Sequence, residues 1–191
     1  MQPTKKGIPF VLDPVGMGTT ELRTRTIEQL TNSFELQLIK GNSGEIGRLH
    51  GDHTVDVRGV DSIAGVTDPV TTVRDLAIKF NGRTVVALSG KTDYVSDRQR
   101  IVSVPNGSER LLLLTGMGFT VAALMGCFAQ VTKDYFVAAI GGFTVMGVCA
   151  ELADKKASGH GPASFQIALF DQFAMLTSAE LEQHMNITVI A

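Results

Sequence analysis

The sequence predicts an α/β fold with a mostly parallel sheet, and three observations in its 191 residues carry that prediction. Short apolar runs alternate with longer amphipathic or apolar segments, the pattern of strands separated by helices. The short runs stop at loops rich in glycine and asparagine. One stretch, Leu111 to Gln130, joins both features. Its four leucines read as a buried strand, Thr115-Gly-Met-Gly-Phe119 as a turn, and Val121 onward as a buried helix. Such a turn aims helix N-terminal N–H groups outward, a geometry that holds a phosphate, although a glycine turn without a ligand is the simpler alternative. The uncharged run to Thr132 also has the length of a membrane span, but Thr115 to Gly118 would break it.

Composition narrows the classes. Hydrophobic residues make up 44% and charged residues 19%, so a real core is expected in one domain, residues 1–191. The formal net charge of −2 gives no reason to expect nucleic acid or an anionic membrane as partner. Cys127 and Cys149 lie in apolar helical runs and read as small buried residues rather than a disulfide or metal pair. The start, Met-Gln-Pro-Thr-Lys-Lys-Gly, lacks a signal-peptide core, so a cytoplasmic protein is expected.

Taken in order, Ile8 to Asp13 reads as a strand running into Pro14-Val-Gly-Met-Gly18. Asp13 either caps that turn or serves as a metal- or phosphate-side group at a strand tip. Thr24 to Phe34 is amphipathic, with Ile27, Leu30 and Phe34 on one face. Leu36 to Lys40 is a second strand, ending at Gly41-Asn-Ser-Gly-Glu45. Lys40 could meet a phosphate, and Asn42 with Glu45 are oxygen ligands suited to Mg²⁺ through water; a capped helix start is the alternative. Leu49 to Thr67 reads as a loop in which His50, Asp52 and His53 are solvated. Asp68-Pro69 starts a helix that Asn81-Gly82 ends. Thr84 to Ser89 is a third buried strand. Tyr94 to Ser96 and Arg100 to Val104 form a hairpin at the sheet edge. Helices follow at Tyr135 to Asp154 and Ser164 to Leu176, and Thr177 with Glu180 resembles a capping box.

Asp13, Lys40, Asn42, Glu45, Ser89 and Gly116 each end or follow a predicted strand, so they could line one crevice. Carboxylates, a lysine, a hydroxyl and a glycine anion hole suit Mg²⁺-assisted phosphoryl transfer. No Gly-x-x-x-x-Gly-Lys-Ser/Thr loop is present, which excludes a P-loop enzyme.

The motifs Val11-Leu-Asp-Pro-Val-Gly-Met-Gly18, Ile39-Lys-Gly-Asn-Ser-Gly-Glu-Ile46, Ser89-Gly-Lys-Thr-Asp-Tyr-Val95, Thr115-Gly-Met-Gly118 and Gly161-Pro-Ala-Ser-Phe165 resemble those of hydroxyethylthiazole kinase, in the ribokinase-like superfamily. The resemblance implies a three-layer α/β/α domain and a homotrimer with active sites between subunits. It implies transfer of the ATP γ-phosphate to the hydroxyl of 4-methyl-5-(2-hydroxyethyl)thiazole in thiamine synthesis and salvage. By motif, Lys40 and Ser89 match ATP-contacting positions, Asp13 and Glu45 the acidic positions associated with Mg²⁺, and Gly116 a substrate-contacting glycine. Backbone N–H groups near Gly116 and Gly118 would form the anion hole. On this reading the apolar run belongs to a soluble domain.

Two departures stand out. The family motif Gly-Thr-Gly-Cys is Gly116-Met-Gly-Phe119 here, so a side chain poised to help deprotonate the substrate is replaced by a phenylalanine that cannot accept a proton. Cys127, roughly 12 Å further along the helix, cannot stand in. Phe119 is expected to fill the substrate pocket. The family's N-terminal part also has no counterpart, so the chain is expected to be an N-terminally truncated, C-terminal portion of the family fold with an exposed sheet edge and exposed apolar helix faces. A non-catalytic nucleotide-binding or regulatory relative is the alternative reading.

Overall fold

The computed structural model describes residues 7–52, 57–58, 61–62 and 66–191. Its main sheet contains β1 (Val11–Leu12), β2 (Leu38–Asn42), β5 (Val85–Ser89), β6 (Asp93–Ser96), β7 (Ile101–Val104) and β8 (Thr188–Val189), in that spatial order. Strands β3 (Val57–Arg58) and β4 (Asp61–Ser62) form a separate ribbon. Helices α1 (Glu21–Ser33), α2 (Ser43–His50) and α3 (Pro69–Lys79) cover one face of the main sheet; α4 (Met117–Val131), α5 (Tyr135–Lys156) and α6 (Pro162–Met175) cover the other. The short α7 (Ser178–His184) leads into β8. This is a three-layer α/β/α arrangement.

Alternation along the strands divides the core. Leu38, Ala87 and Val95 face α4, α5 and α6, whereas Ile39, Val86 and Leu88 face α1, α2 and α3. Several local signals act as the sequence implies. Asp68 caps α3 by accepting the Thr71 N–H, with Pro69 in the first turn. Asn81 and Gly82 end α3 with φ of 56° and 64°. Thr177 and Glu180 form a reciprocal capping box on α7.

Several expectations change. The sheet is mixed, because β1, β2 and β5 are parallel whereas β5 through β8 pair antiparallel. The predicted hairpin is β6–β7, and β8 pairs beyond it, so that hairpin does not end the sheet. Leu111 to Leu114 is not a strand: Glu109–Leu113 forms a 3-10 turn with Leu112 86% exposed. Ser108 Oγ caps this turn, and Arg110 ties it to Asp154 and to the carbonyls of Ala157, His160 and Gly161. A short apolar run fits strand and helical turn equally well, and here the arginine anchor decides. Finally, α4 is buried only along Val121, Met125 and Ala129, and Cys127 is exposed while Cys149 is buried. The solvated loop expected after Leu49 is α2's last turn and the β3–β4 ribbon where described; His53 lies outside the described residues.

Close packing of α5 rests on a glycine. A Cβ added at Gly147 would stand 2.7 Å from the backbone carbonyl carbon of Asn106, whereas one at Gly126 of α4 would meet nothing within 4 Å. Gly147→Ala is therefore expected to destabilise the fold by about 1–3 kcal/mol. Gly126→Ala should stabilise it by about 0.5–1 kcal/mol through helix propensity. Urea unfolding of the two variants checks both signs.

Candidate active site

The carboxyl ends of β1 and β2 meet α4, and that of β5 lies beside β2. Lys40 ends up here by register: it alternates with Leu38, so it points toward α4. Its ammonium is buried and lies 3.6 Å from Asp13 Oδ2, just beyond β1. The first turn of α4 comes down on this pair. A Cβ at Gly118 would sit 3.0 Å from Lys40 Nζ and 3.9 Å from Asp13 Oδ2, so glycine allows the backbone its close approach. Gly116 makes the turn with φ of 92° and offers the helix no side-chain cap. The first-turn amides of α4 therefore stand beside a buried ammonium.

Glu45 joins two loops. Its Oε2 accepts the Asn42 N–H at 2.9 Å, its own N–H donates to Asn42 Oδ1, and its Oε1 accepts the Gly16 N–H at 2.8 Å. The first two bonds are a capping box on α2, the alternative reading of the Asn42–Glu45 spacing. The third ties the Pro14–Gly18 loop to the tip of β2. Arg23 and Arg48 pack over that loop, against Gly16 and Gly18 respectively.

Burial raises both acidic pKa values. For Asp13 it outweighs the attraction of Lys40. For Glu45 it outweighs the Asn42 and Gly16 amides, and the charge of Asp13 pushes in the same direction. Two buried acids, one of which raises the other's cost of ionisation, with the Asn42 amide alongside, are a donor set that a hard divalent cation would relieve. Glu45 Oε1 and Oε2 each retain a lone pair beyond the backbone bond. The residues present thus fit Mg²⁺, held in part through water. Among the described residues no group of three or more His, Cys, Asp or Glu could hold a metal.

Ser89 completes the row. It stands opposite Asn42 across the β2–β5 pairing, and its Oγ donates to the Gly41 carbonyl at 3.3 Å. The structure thus brings Asp13, Lys40, Glu45, Ser89, Gly116 and Gly118 to one sheet edge. The Phe119 ring stays by the glycine turn, 4.0 Å from a Cβ added at Gly116, and is 57% exposed rather than enclosed in a pocket.

Comparison with known proteins gives the family. Residues 2–179 match the Hydroxyethylthiazole kinase family. The chain belongs to that family. It is 47% identical over 173 residues to the hydroxyethylthiazole kinase of Roseiflexus sp. (strain RS-1), covering 91% of this chain and 62% of that protein. It is 44% identical over 179 residues to the same enzyme of Desulforudis audaxviator, covering 94% and 64%. It thus spans less than two thirds of these relatives' length. The hydroxyethylthiazole kinase structure from Pyrococcus horikoshii OT3 superposes with a TM-score of 0.82 at 32% identity, over 99% of this chain and 68% of that one. A pyridoxal kinase from Staphylococcus aureus shares the fold, with a TM-score of 0.55 at 19% identity over 95% of this chain and 61% of that one.

Asp93, in the segment Ser89 to Val95, is a further carboxyl beside this row, and burial pushes its pKa up to about 7. No spacing rule marks it, since only the fold shows that the turn carries it back toward Lys40. An acid whose folded pKa lies above its unfolded value adds no penalty below 3.8 and its full penalty above about 7. Wild-type stability should therefore fall relative to Asp93→Asn across that window. Thermal melts should show the two chains alike near about pH 4, and the variant more stable by on the order of 2 kcal/mol near about pH 8.

Proposed function

We propose that this chain phosphorylates the hydroxyl of 4-methyl-5-(2-hydroxyethyl)thiazole, with ATP as donor and Mg²⁺ as cofactor, in thiamine synthesis and salvage. The observation that carries the proposal is the buried Lys40 ammonium beneath the glycine-opened N-terminus of α4, in a member of this family. Lys40 binds a phosphate oxygen of ATP, and Ser89 contacts the nucleotide from the tip of β5. Amides of Gly116, Met117 and Gly118 receive the negative charge of the transferring phosphoryl group. The alcohol oxygen bonds to the γ-phosphorus as the bond to the β-phosphate oxygen breaks, leaving ADP. Asp13 and Glu45 hold Mg²⁺, which supplies neutralising charge to the phosphates when bound. Gly116 contacts the thiazole substrate. Phe119 accepts no proton, so the hydroxyl proton passes to solvent and turnover is slow.

The reading includes a cytoplasmic homotrimer. The trimer is what the family resemblance implies, and the exposed Leu112, Phe119 and Val131 around α4 are an apolar surface that assembly would cover. Nucleic acid and membrane have no place in it.

The test is phosphorylation of the thiazole alcohol by the purified chain with MgATP. Slow product formation is expected, and EDTA should abolish it. Phe119→Cys should raise kcat by about 10²-fold or more, within the usual yield of a general base. A folded chain that binds neither MgATP nor the thiazole alcohol sinks the proposal. Nucleotide binding without turnover, restored in Phe119→Cys, identifies a non-catalytic relative instead.

A further inference from the structure

The motif Gly161 to Phe165 has no part in the proposed reaction, yet one side chain binds both of its ends. Arg110 Nη2 donates to the carbonyls of His160 and Gly161 at 2.7 and 3.1 Å, and its guanidinium lies 4.7 Å from the centroid of the buried Phe165 ring. Nη1 donates to Asp154 Oδ1 at 3.1 Å and to the carbonyl of Ala157, the residue that closes α5, at 3.0 Å. Carbonyls at the end of a helix have no partner within it, and a cation there also meets the negative end of the dipole. One guanidinium therefore joins the end of α5, the start of α6 and the Glu109–Leu113 turn. Ser108 strengthens the joint by donating its hydroxyl to Asp154 Oδ2 at 2.9 Å.

What the joint holds in place is the approach to α4. Only Leu114 and Thr115 separate the turn from Gly116. Leu111 and Leu114 touch the core, whereas Leu112 and Leu113 face solvent, so burial alone fixes the segment weakly. The start of α4 adds no fixing of its own. Helices α2, α3 and α5 open with side-chain caps from Asn42, Asp68 and Asp134, but α4 opens on Gly116 with none. Its first-turn amides are thereby left for a ligand, and their direction follows from how the chain enters the glycine.

We propose that Arg110 is a positioning residue for the anion hole: by tying the Glu109–Leu113 turn to the end of α5 and the start of α6, it sets where the Gly116, Met117 and Gly118 amides point. This rests on the kinase reading above. Lys40 and Ser89 lie on β2 and β5, whose pairing does not involve Arg110. Loss of the guanidinium should thus spare nucleotide binding and weaken the hold on the phosphoryl group in transfer, the state in which the amides matter most. Lysine cannot substitute in full. An ammonium on a flexible stem keeps one ion pair but lacks the planar fork that spans three carbonyls and covers a ring.

The experiment is calorimetric titration of the full chain with MgADP, alone and with aluminium fluoride, a mimic of the transferring phosphoryl group. Wild type is compared with Arg110→Gln. Aluminium fluoride should tighten MgADP binding by wild type. In the variant, Kd for MgADP alone should stay within about twofold, whereas Kd with aluminium fluoride should rise roughly tenfold or more, the scale of a misplaced anion-hole donor. A structural role alone would weaken both ligands together or neither, and either result overturns this proposal. So does the absence of any tightening by aluminium fluoride in wild type. No MgADP binding by either folded chain overturns the kinase reading and this proposal with it. If Arg110→Gln does not melt cooperatively, Arg110→Lys, which keeps a cation beside Asp154, serves for the same comparison.

Discussion

A buried ammonium set under a helix N-terminus is the constraint on which the site depends. Both features are positive: Lys40 carries a full charge, and the first turn of α4 carries the positive end of a helix dipole. Bringing them together is unfavourable unless negative charge is supplied. Asp13 supplies part of it at 3.6 Å, but burial resists its ionisation and holds its pKa above the usual carboxylate range. Positive potential is thus concentrated at one spot and incompletely balanced by the protein. A multiply charged anion is the chemical species that balances it, which is why phosphate fits this geometry better than a neutral ligand.

Holding that arrangement takes close backbone approaches, and glycine permits them at two points. At Gly118 a side chain would press on Lys40 Nζ. At Gly41 a Cβ would lie 3.2 Å from Pro14 Cγ, Glu45 Cβ and Ile46 Cδ1. Gly41 therefore lets the loop after β1 pack directly on the tip of β2, where Glu45 secures it through the Gly16 amide. The carboxylate that caps α2 also fixes the loop leaving Asp13. Loss of this one side chain would loosen both acidic positions together, because one group satisfies donors from two loops.

Much of this was legible in the sequence, because the informative residues act locally. Asp68-Pro69 and Thr177 with Glu180 mark helix starts through hydrogen bonds to neighbours three residues away. Lys40 and Ser89 could be placed because strand tips in an α/β sheet converge. The Leu111–Leu114 run misled because its apolar character does not encode its anchor, Arg110, whose partners lie some 44 to 51 residues away. Strand β8 was missed for a similar reason: Thr188–Val189 is two residues long and exists through pairing with β7. Asp93 lacked a local signature, since its raised pKa comes from burial, which only the folded chain creates.

Helix α4 joins the core to the site. Its inner stripe, Val121, Met125 and Ala129, packs into the core, and its first turn lies against Lys40. Its outer side remains apolar, with Val131 87% exposed. A helix that is apolar all round is stable in water only when that outer side is covered. In the proposed trimer that cover comes from outside this chain, and it would bear on the same helix whose N-terminal amides face the phosphate. Because α4 is one continuous helix from Met117 to Val131, the side that needs cover and the turn over Lys40 belong to a single element. Assembly and phosphate binding would then be coupled through the placement of a single helix, with the glycine–ammonium approach as the point where a small displacement has the largest effect.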